Sequence, residues 1–500
     1  MFKKNSLFDN FNKNLFYVTL FIIFLISVFV RLYFLPILAT FGHDNSRDLV
    51  LIFKLFKYHE IIYRGPVFSV LWGFLSPIYY YILAPVYYIL RFHPLAPAFF
   101  STIINIITLL ILFFVSFKIF NKKTALISII LYGLSFKVAL EGAYGLNPNL
   151  LPPFSVLAFY SLVNIFKNNS KNYLILLFFC LAMLVSFHPS GVFVLFPIVI
   201  LFIIYKPKIK PVIWIRSILV FFIFAIIPYL IEEKKFNFWN IKQILLYLHG
   251  DISTESNIGF FNSISNFFYV FTKNLSLVFF GNTHIFFIAF SFFLLLSLLF
   301  FILKFYKKHT DSIFILSSYI FLYLLFFAIT VKFDNKGFYA WWFHSVIIPI
   351  FILYVSYLMT KIKISYCVTL IWFFIFLNIN AYIKYQPPLD TYEMSYKATQ
   401  EIRNDSMGTD LIEIYGSDRR PFRYMLWYFE QDPIIKEKYF SLVKYEDKVP
   451  KPTNVYYFDR LDSNERNYMA DFTKIQKDYP HLKGPILLKH FNTYDIYVFK

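Results

Sequence analysis

A chain of 500 residues that is 58% hydrophobic, 23% aromatic and only 15% charged lies far outside soluble proteins, in which charged residues make up about a quarter. Its net charge of +19 does not point to nucleic acid, because the lysines stand in short clusters between apolar runs, the pattern of the positive-inside rule. Cys180 and Cys367 both fall inside apolar segments and offer no disulfide framework.

In chain order, Lys3, Lys4 and Lys13 precede an apolar stretch over residues 15–30 that continues past Arg31 to residue 38. It is longer than a signal-peptide core and reads as an uncleaved first span. With a cytoplasmic amino terminus, this span delivers Gly42-His43-Asp44-Asn45-Ser46-Arg47-Asp48 to the outer face. Residues 49–56 are apolar, with Lys54 and Lys57 spaced for one face, so an interfacial helix starts here. Asn45 or Ser46 would cap it and Asp48 would sit in its first turn. Residues 67–90 are apolar enough to span, yet a span there would place Lys118, Lys122 and Lys123 outside. Pro77 and Pro85 also disfavour a plain spanning helix, so this stretch reads as helices on the outer surface.

Further spans are predicted over residues 97–117, 125–140, 150–166, 173–187, 192–205, 212–231, 285–303, 313–331, 338–359 and 364–382, about eleven in all. Every cytoplasmic loop is then basic, while the outer loops near Asn147 and His188 carry no Lys or Arg. Residues 232–282 mix charge with aromatic clusters and read as further surface helices. From residue 386 the chain turns polar, with strand-like runs at 411–415, 455–458 and 494–500 and helical patterns at 420–430 and 464–476. The expected fold is mainly α: a polytopic membrane helical bundle over residues 1–382, with outer-surface interfacial helices, and a small extracytoplasmic α/β domain over residues 383–500.

The segment 42–48 joins two carboxylates, an imidazole and a guanidinium. Helix capping accounts for Ser46 and Asp48 but not for His43, Asp44 and Arg47 together. Tyr63-Arg64-Gly65-Pro66 leads into an aromatic run that an interfacial belt explains by itself. In the segment from Glu141 to Asn149, Pro148 stops helix continuation, and Asn147 and Asn149 flank it at the entrance to a span. His188-Pro189-Ser190-Gly191 is a tight turn with a second imidazole. His344 lies inside a predicted span, where ionisable groups usually face a cavity. No phosphate-binding glycine loop, zinc-ligand pair or nucleophile elbow occurs, so nucleotide hydrolysis is unsupported.

His-Asp-Asn-Ser-Arg-Asp at 43–48, Gly-Pro at 65–66, Tyr-Tyr-Tyr-Ile-Leu-Ala-Pro at 79–85, Asn-Pro-Asn at 147–149 and His-Pro-Ser at 188–190 resemble bacterial members of glycosyltransferase family 39. That family belongs to the GT-C superfamily of polyprenyl-phosphate-sugar transferases, which includes protein mannosyltransferases and the aminoarabinose transferase of lipid A. The resemblance is firm over residues 15–205 and looser to about residue 382. It implies an integral membrane transferase of the cytoplasmic membrane, inverting, with its active site on the outer face. Asp44 is then the general base and Asp48 a second carboxylate, Arg47 and Arg64 bind the donor phosphate, and His43, Glu141, Asn147, Asn149, His188 and His344 line the substrate. The implied partners are a polyprenyl-phosphate-linked sugar and a lipid, glycan or protein acceptor. A divalent metal held by Asp44, Asp48, His43 or Glu141 stays open, because oxygen-rich sites have no diagnostic spacing. Two alternatives are a membrane polymerase or ligase of lipid-linked oligosaccharide, and a transporter or lipid flippase. No convincing internal repeat favours transport, and the acids gather on one side of the membrane.

Overall fold

The computed structural model describes residues 13–68, 73–168, 170–249, 259–306, 311–330, 340–388, 391–406, 411–415, 419–430, 452–460, 468–491 and 494–500. The apolar runs become helices, as they must where no water is present to satisfy backbone N–H and C=O groups. They are α1 (Lys13–Tyr33), the single turn α2 (Leu35–Leu38), α3 (His43–Lys57), α4 (Ile78–Ile89), α5 (Ala96–Ile119), α6 (Lys122–Leu134), α7 (Phe136–Gly142), α8 (Leu151–Lys167), α9 (Tyr173–Phe187) and α10 (Leu195–Tyr205). After them come α11 (Pro211–Phe221), α12 (Ile227–Lys235), α13 (Trp239–His249), α14 (Phe260–Phe280), α15 (Ile285–Phe305), α16 (Ser312–Thr330), α17 (Ala340–Met359) and α18 (Ile364–Lys384).

Among the described residues seven helices are long and apolar enough to cross a membrane, and an eighth counts if α6 and α7, bent by 63°, form one span. The expected segments at 173–187, 192–205 and 338–359 are helical too, but their apolar helices are shorter, Tyr173–Phe187, Pro189–Tyr205 and Ser345–Met359. All the expected segments are therefore helical, while the expected count of about eleven crossings is not confirmed by length. The beginning of the segment 338–359 lies outside the described residues.

Among the described residues of 67–90 there is no helix of spanning length. They make a short hairpin, β1 (Val67–Phe68) against β2 (Gly73–Phe74) with Val67 opposite Phe74, followed by α4, whose 12 residues reach only about 18 Å. A Cβ at Gly65 would overlap the carbonyl oxygens of Leu75 and Ser76, so only glycine lets the chain lie this close to the returning strand.

The bend between α6 and α7 explains an interior arginine. At the break the N–H of Phe136 turns to Asn378 Oδ1 (2.8 Å), which takes it away from the helix ladder. Arg31, from α1, fills the gap. Its guanidinium donates to the carbonyls of Tyr132 (2.9 Å) and Gly133, to Ser27 O (3.1 Å) and to Asn105 Oδ1 (2.7 Å).

The carboxyl-terminal part is the expected α/β unit. A four-stranded sheet runs in the order β3 (Ile412–Ile414), β4 (Asn454–Arg460), β6 (Tyr494–Phe499), β5 (Ile486–His490). β3 and β4 are parallel and the other pairs antiparallel. Around it lie α19 (Tyr392–Ser406), α20 (Arg419–Phe429) and α21 (Tyr468–Asp478). The strands near 411–415, 455–458 and 494–500 and the helix near 420–430 match expectation. The helix expected over 464–476 begins outside the described residues, and α19 and β5 are additional. The unit is tied to the membrane part by a bridge between Thr40 and Thr391 and by α20, which packs on α3.

Candidate active site

α3 opens earlier than its sequence suggests. Gly42, with extended backbone (φ −96°, ψ −168°), is the cap, and Ser46 N–H bonds Gly42 O at 3.1 Å. Asn45 is inside the first turn and reaches back, its Oδ1 accepting the Gly42 N–H (3.0 Å). The same side chain donates to the carbonyls of Tyr144 and Gly145, both at 3.0 Å. This corrects the expected cap at Asn45 or Ser46, because a glycine cap leaves the side-chain bonding to the third helical residue. It also puts Asp44, and not Asp48, in the first turn, where a carboxylate meets the positive end of the helix dipole.

One turn further on, Asp48 is only 1% exposed. Arg47 joins the two acids: its Nε and Nη2 both bond Asp48 Oδ1 (2.9 and 2.7 Å), and its Nη1 bonds Asp44 Oδ1 (2.7 Å). Tyr80, from α4, donates its hydroxyl to Asp48 Oδ1 (2.8 Å). Asp44 differs from Asp48 in being about half open to solvent, with 46% of its side chain exposed.

The two carboxyls are pushed in opposite directions. Partial burial raises Asp44, but His43 and Arg47 outweigh it and hold the group below the ordinary carboxylate range. Burial dominates at Asp48 and lifts it above that range, with the Asp44 charge adding to the lift and Arg47 opposing it. Burial and the Asp48 charge raise the Tyr80 phenol, so Tyr80 stays a proton donor to Asp48. Arg47 is desolvated, yet its carboxylate partners raise it well above the normal arginine value.

Arg64 lies across a cavity from Arg47. Its guanidinium is sandwiched between the rings of Phe236 (3.6 Å) and Phe74 (4.2 Å), and its Nε is 3.7 Å from Glu232 Oε1. Asn240 ties the surrounding pieces together, accepting from Phe74 N–H (2.7 Å) and donating to Glu232 Oε1 (3.3 Å). The cavity, about 300 Å³, is lined by Arg47, Arg64, Tyr63, Tyr80, Phe74 and Phe236 among others. The two arginines expected to share a phosphate thus open on one space.

The remaining expected residues are stitched into neighbouring loops. Glu141 pairs with Lys137 (3.1 Å). Asn149 accepts from Leu146 N–H (2.9 Å) and donates to Glu141 O (2.5 Å). Asn147 donates to Phe187 O (2.6 Å). His188 is buried, caps the turn that follows through Ser190 N–H (3.2 Å), and burial lowers its imidazole to about 3. Through Asn45 and the carbonyls of Tyr144 and Gly145, the loop 141–149 is fastened to the start of α3. The side chain of His344 lies outside the described residues. Among the described residues no three His, Cys, Asp or Glu side chains converge as metal ligands. The acids of α3 are bonded to a guanidinium and Glu141 to an ammonium.

Three participants escape a sequence reading. Tyr80 is hidden in a Tyr-rich run whose members look alike, Glu232 ends a long apolar helix, and Arg420 comes from the carboxyl-terminal unit to contact His43 Nε2. Only the aromatic spacing of α4 carries a signal, since Tyr80, Leu83, Ala84 and Tyr87 recur on one buried face.

The profile of the dolichyl-phosphate-mannose-protein mannosyltransferase family matches residues 75–231. A sequence search of curated proteins finds no match. Among solved structures, ArnT from Cupriavidus metallidurans bound to undecaprenyl phosphate superposes with a TM-score of 0.59 at 9% identity, over 96% of this chain and 98% of that one. Its apo form gives 0.58 at 8% identity, over 97% of each chain. The apo oligosaccharyltransferase of Archaeoglobus fulgidus gives 0.50 at 13% identity, over 84% of this chain and 64% of that one. At such identities the likeness is one of fold. This multi-pass membrane protein thus shares the fold of ArnT over nearly its whole length, and residues 75–231 carry the sequence pattern of the dolichyl-phosphate-mannose-protein mannosyltransferase family.

Proposed function

We propose that the chain is an inverting glycosyltransferase that moves a sugar from a polyprenyl-phosphate donor to an acceptor hydroxyl at the outer face of the cytoplasmic membrane. One observation carries this: a half-exposed carboxylate, Asp44, is held by an arginine that also lines a cavity shared with a second arginine. That arrangement supplies a base and an anion site side by side. The ArnT structure of the same fold holds undecaprenyl phosphate, which supports a lipid phosphate as the group bound there.

In this mechanism Asp44 takes the proton of the acceptor hydroxyl as its oxygen attacks the anomeric carbon. The bond from that carbon to the lipid phosphate breaks on the opposite face, and the electron pair leaves with the phosphate. A phosphate leaving group needs charge stabilisation more than protonation, and Arg47 and Arg64 provide it. Asp48 is too buried to meet the acceptor and serves by holding Arg47 in place. Residues 1–382 form the catalytic part and residues 383–500 an outer domain. Glu141, Asn147, Asn149 and His188 shape the loops behind α3, and His43 faces the acceptor beside Asp44.

The test is transfer from lipid-linked sugars by membranes carrying the intact chain or its Asp44→Asn variant, combined with mass spectrometry of cell-envelope glycans to name sugar and acceptor. Loss of transfer with normal membrane insertion is expected. Normal transfer by the variant would falsify the assignment of Asp44 as base.

A further inference from the structure

Among the described residues, Arg420 of the carboxyl-terminal unit contacts His43 at the candidate active site. α20 lies along α3: the Tyr424 ring is 5.9 Å from Phe41, its hydroxyl donates to Phe92 O (2.7 Å), and Trp427 packs edge-on against Phe53 (5.2 Å). Positions 420, 424 and 427 recur at helical spacing, so one face of α20 is committed to this contact. The first of them, Arg420, places Nη1 on His43 Nε2.

A guanidinium has donors and no acceptor. In this pair Nε2 must therefore accept, its lone pair is occupied, and the neutral ring carries its proton on Nδ1. Nδ1 lies 3.7 Å from Asp44 Oδ1, so the protonated edge of the imidazole is turned to the carboxylate. We propose that Arg420 is a positioning residue for sugar transfer, fixing His43 as the Nδ1–H tautomer so that a donor and not a lone pair faces Asp44. This rests on the reading of Asp44 as base. The opposite tautomer would set a lone pair against the carboxylate and offer a second base close to the acceptor. Occupation of Nε2 removes that competitor and makes the geometry of Asp44 depend on the seating of the carboxyl-terminal unit.

Two measurements on the full chain in membranes test the proposal. Diethyl pyrocarbonate acylates unprotonated imidazole nitrogens, and peptide mass spectrometry reads the rate at His43. Arg420→Ala is expected to raise that rate severalfold, whereas Tyr424→Phe, which loosens the same helix but keeps Arg420, leaves it unchanged. In transfer assays Arg420→Ala is expected to lower kcat by about tenfold to a hundredfold with donor KM unchanged, the scale of a small misplacement of a reacting group. Arg420→Lys, which still donates to Nε2, restores most of the loss. Equal labelling of His43 in the intact chain and Arg420→Ala overturns the inference, as does a loss confined to KM or a lysine variant no better than alanine. Full transfer by Asp44→Asn defeats the base reading and this role with it, whereas equal labelling defeats the inference alone.

Discussion

Arg31 and Arg47 are both withdrawn from water, but their partners differ in kind. Arg31 sits in the bundle and spends its donors on fixed dipoles, the carbonyls of Ser27, Tyr132 and Gly133 and the amide oxygen of Asn105. It mends a broken helix. Arg47 is bonded to two carboxylates, one of them half open to solvent, and forms part of a cavity wall. Burial of a cation is costly in either place unless it is compensated. Compensation by backbone dipoles consumes the donors in structure, whereas compensation by an accessible carboxylate beside a cavity leaves room for an anionic ligand to enter.

The contrast breaks most readily at the residues on each side of it. Asp44→Asn is expected to cost about 10²-fold to 10⁴-fold in single-turnover transfer, with thermal stability changed by no more than about 1 kcal/mol because the group is half exposed. Arg31→Ala is expected to do the reverse. Leaving the carbonyls of Tyr132 and Gly133 without their donor costs roughly 3 kcal/mol, read as a lower unfolding temperature in detergent, while activity per folded molecule is kept. An Arg31→Ala protein that folds normally yet cannot transfer would erase the distinction. Arg47→Lys keeps the charge but loses the fork that spans Asp44 and Asp48. A drop of about tenfold in kcat/KM is expected there, since one ammonium cannot hold both acids in register.

How far the sequence foretells these results depends on the length scale of the cause. The apolar helices are legible because each apolar run states its own environment, and so are β4, β6 and α20, whose local patterns agree with their tertiary setting. β5 is an edge strand with Ile486 and Leu487 both 53% exposed, so the alternation that marks a half-buried strand is missing. α19 buries Ser395, Thr399 and Ser406 beside Met394, Ala398 and Ile402, a stripe too polar to stand out. In the site, the cluster at 43–48 announces itself because its groups are adjacent in sequence. Its geometry does not: the cap at Gly42 depends on the loop at 144–145, the partner of Asp48 comes from α4, and Arg420 arrives from 377 residues away. Arg31 looks like an interruption of a span until the bend between α6 and α7 shows which carbonyls it serves.

The two acids of α3 can be told apart by pH. A base must be ionised to accept the acceptor's proton. Asp44 is held below the ordinary carboxylate value, which is about 3.9, so with Asp44 as base the midpoint of the acid decline in kcat lies below that value. Asp48 is displaced the other way, so with Asp48 as base the decline would come above it. The stability contributions have matching signs. The one from Asp44 is complete above its unfolded pKa and is lost as pH falls through its lower folded pKa, while ionised Asp48 burdens the folded state and acidification relieves it. Measuring kcat against pH for the intact chain and for Asp48→Asn separates these effects. The variant loses the partner of Arg47 and is expected to be slower by about tenfold, with the acid limb unmoved. An acid limb above the ordinary carboxylate value that disappears in Asp48→Asn would transfer the role of base to the buried acid, and Asp44 would then be the residue that holds Arg47.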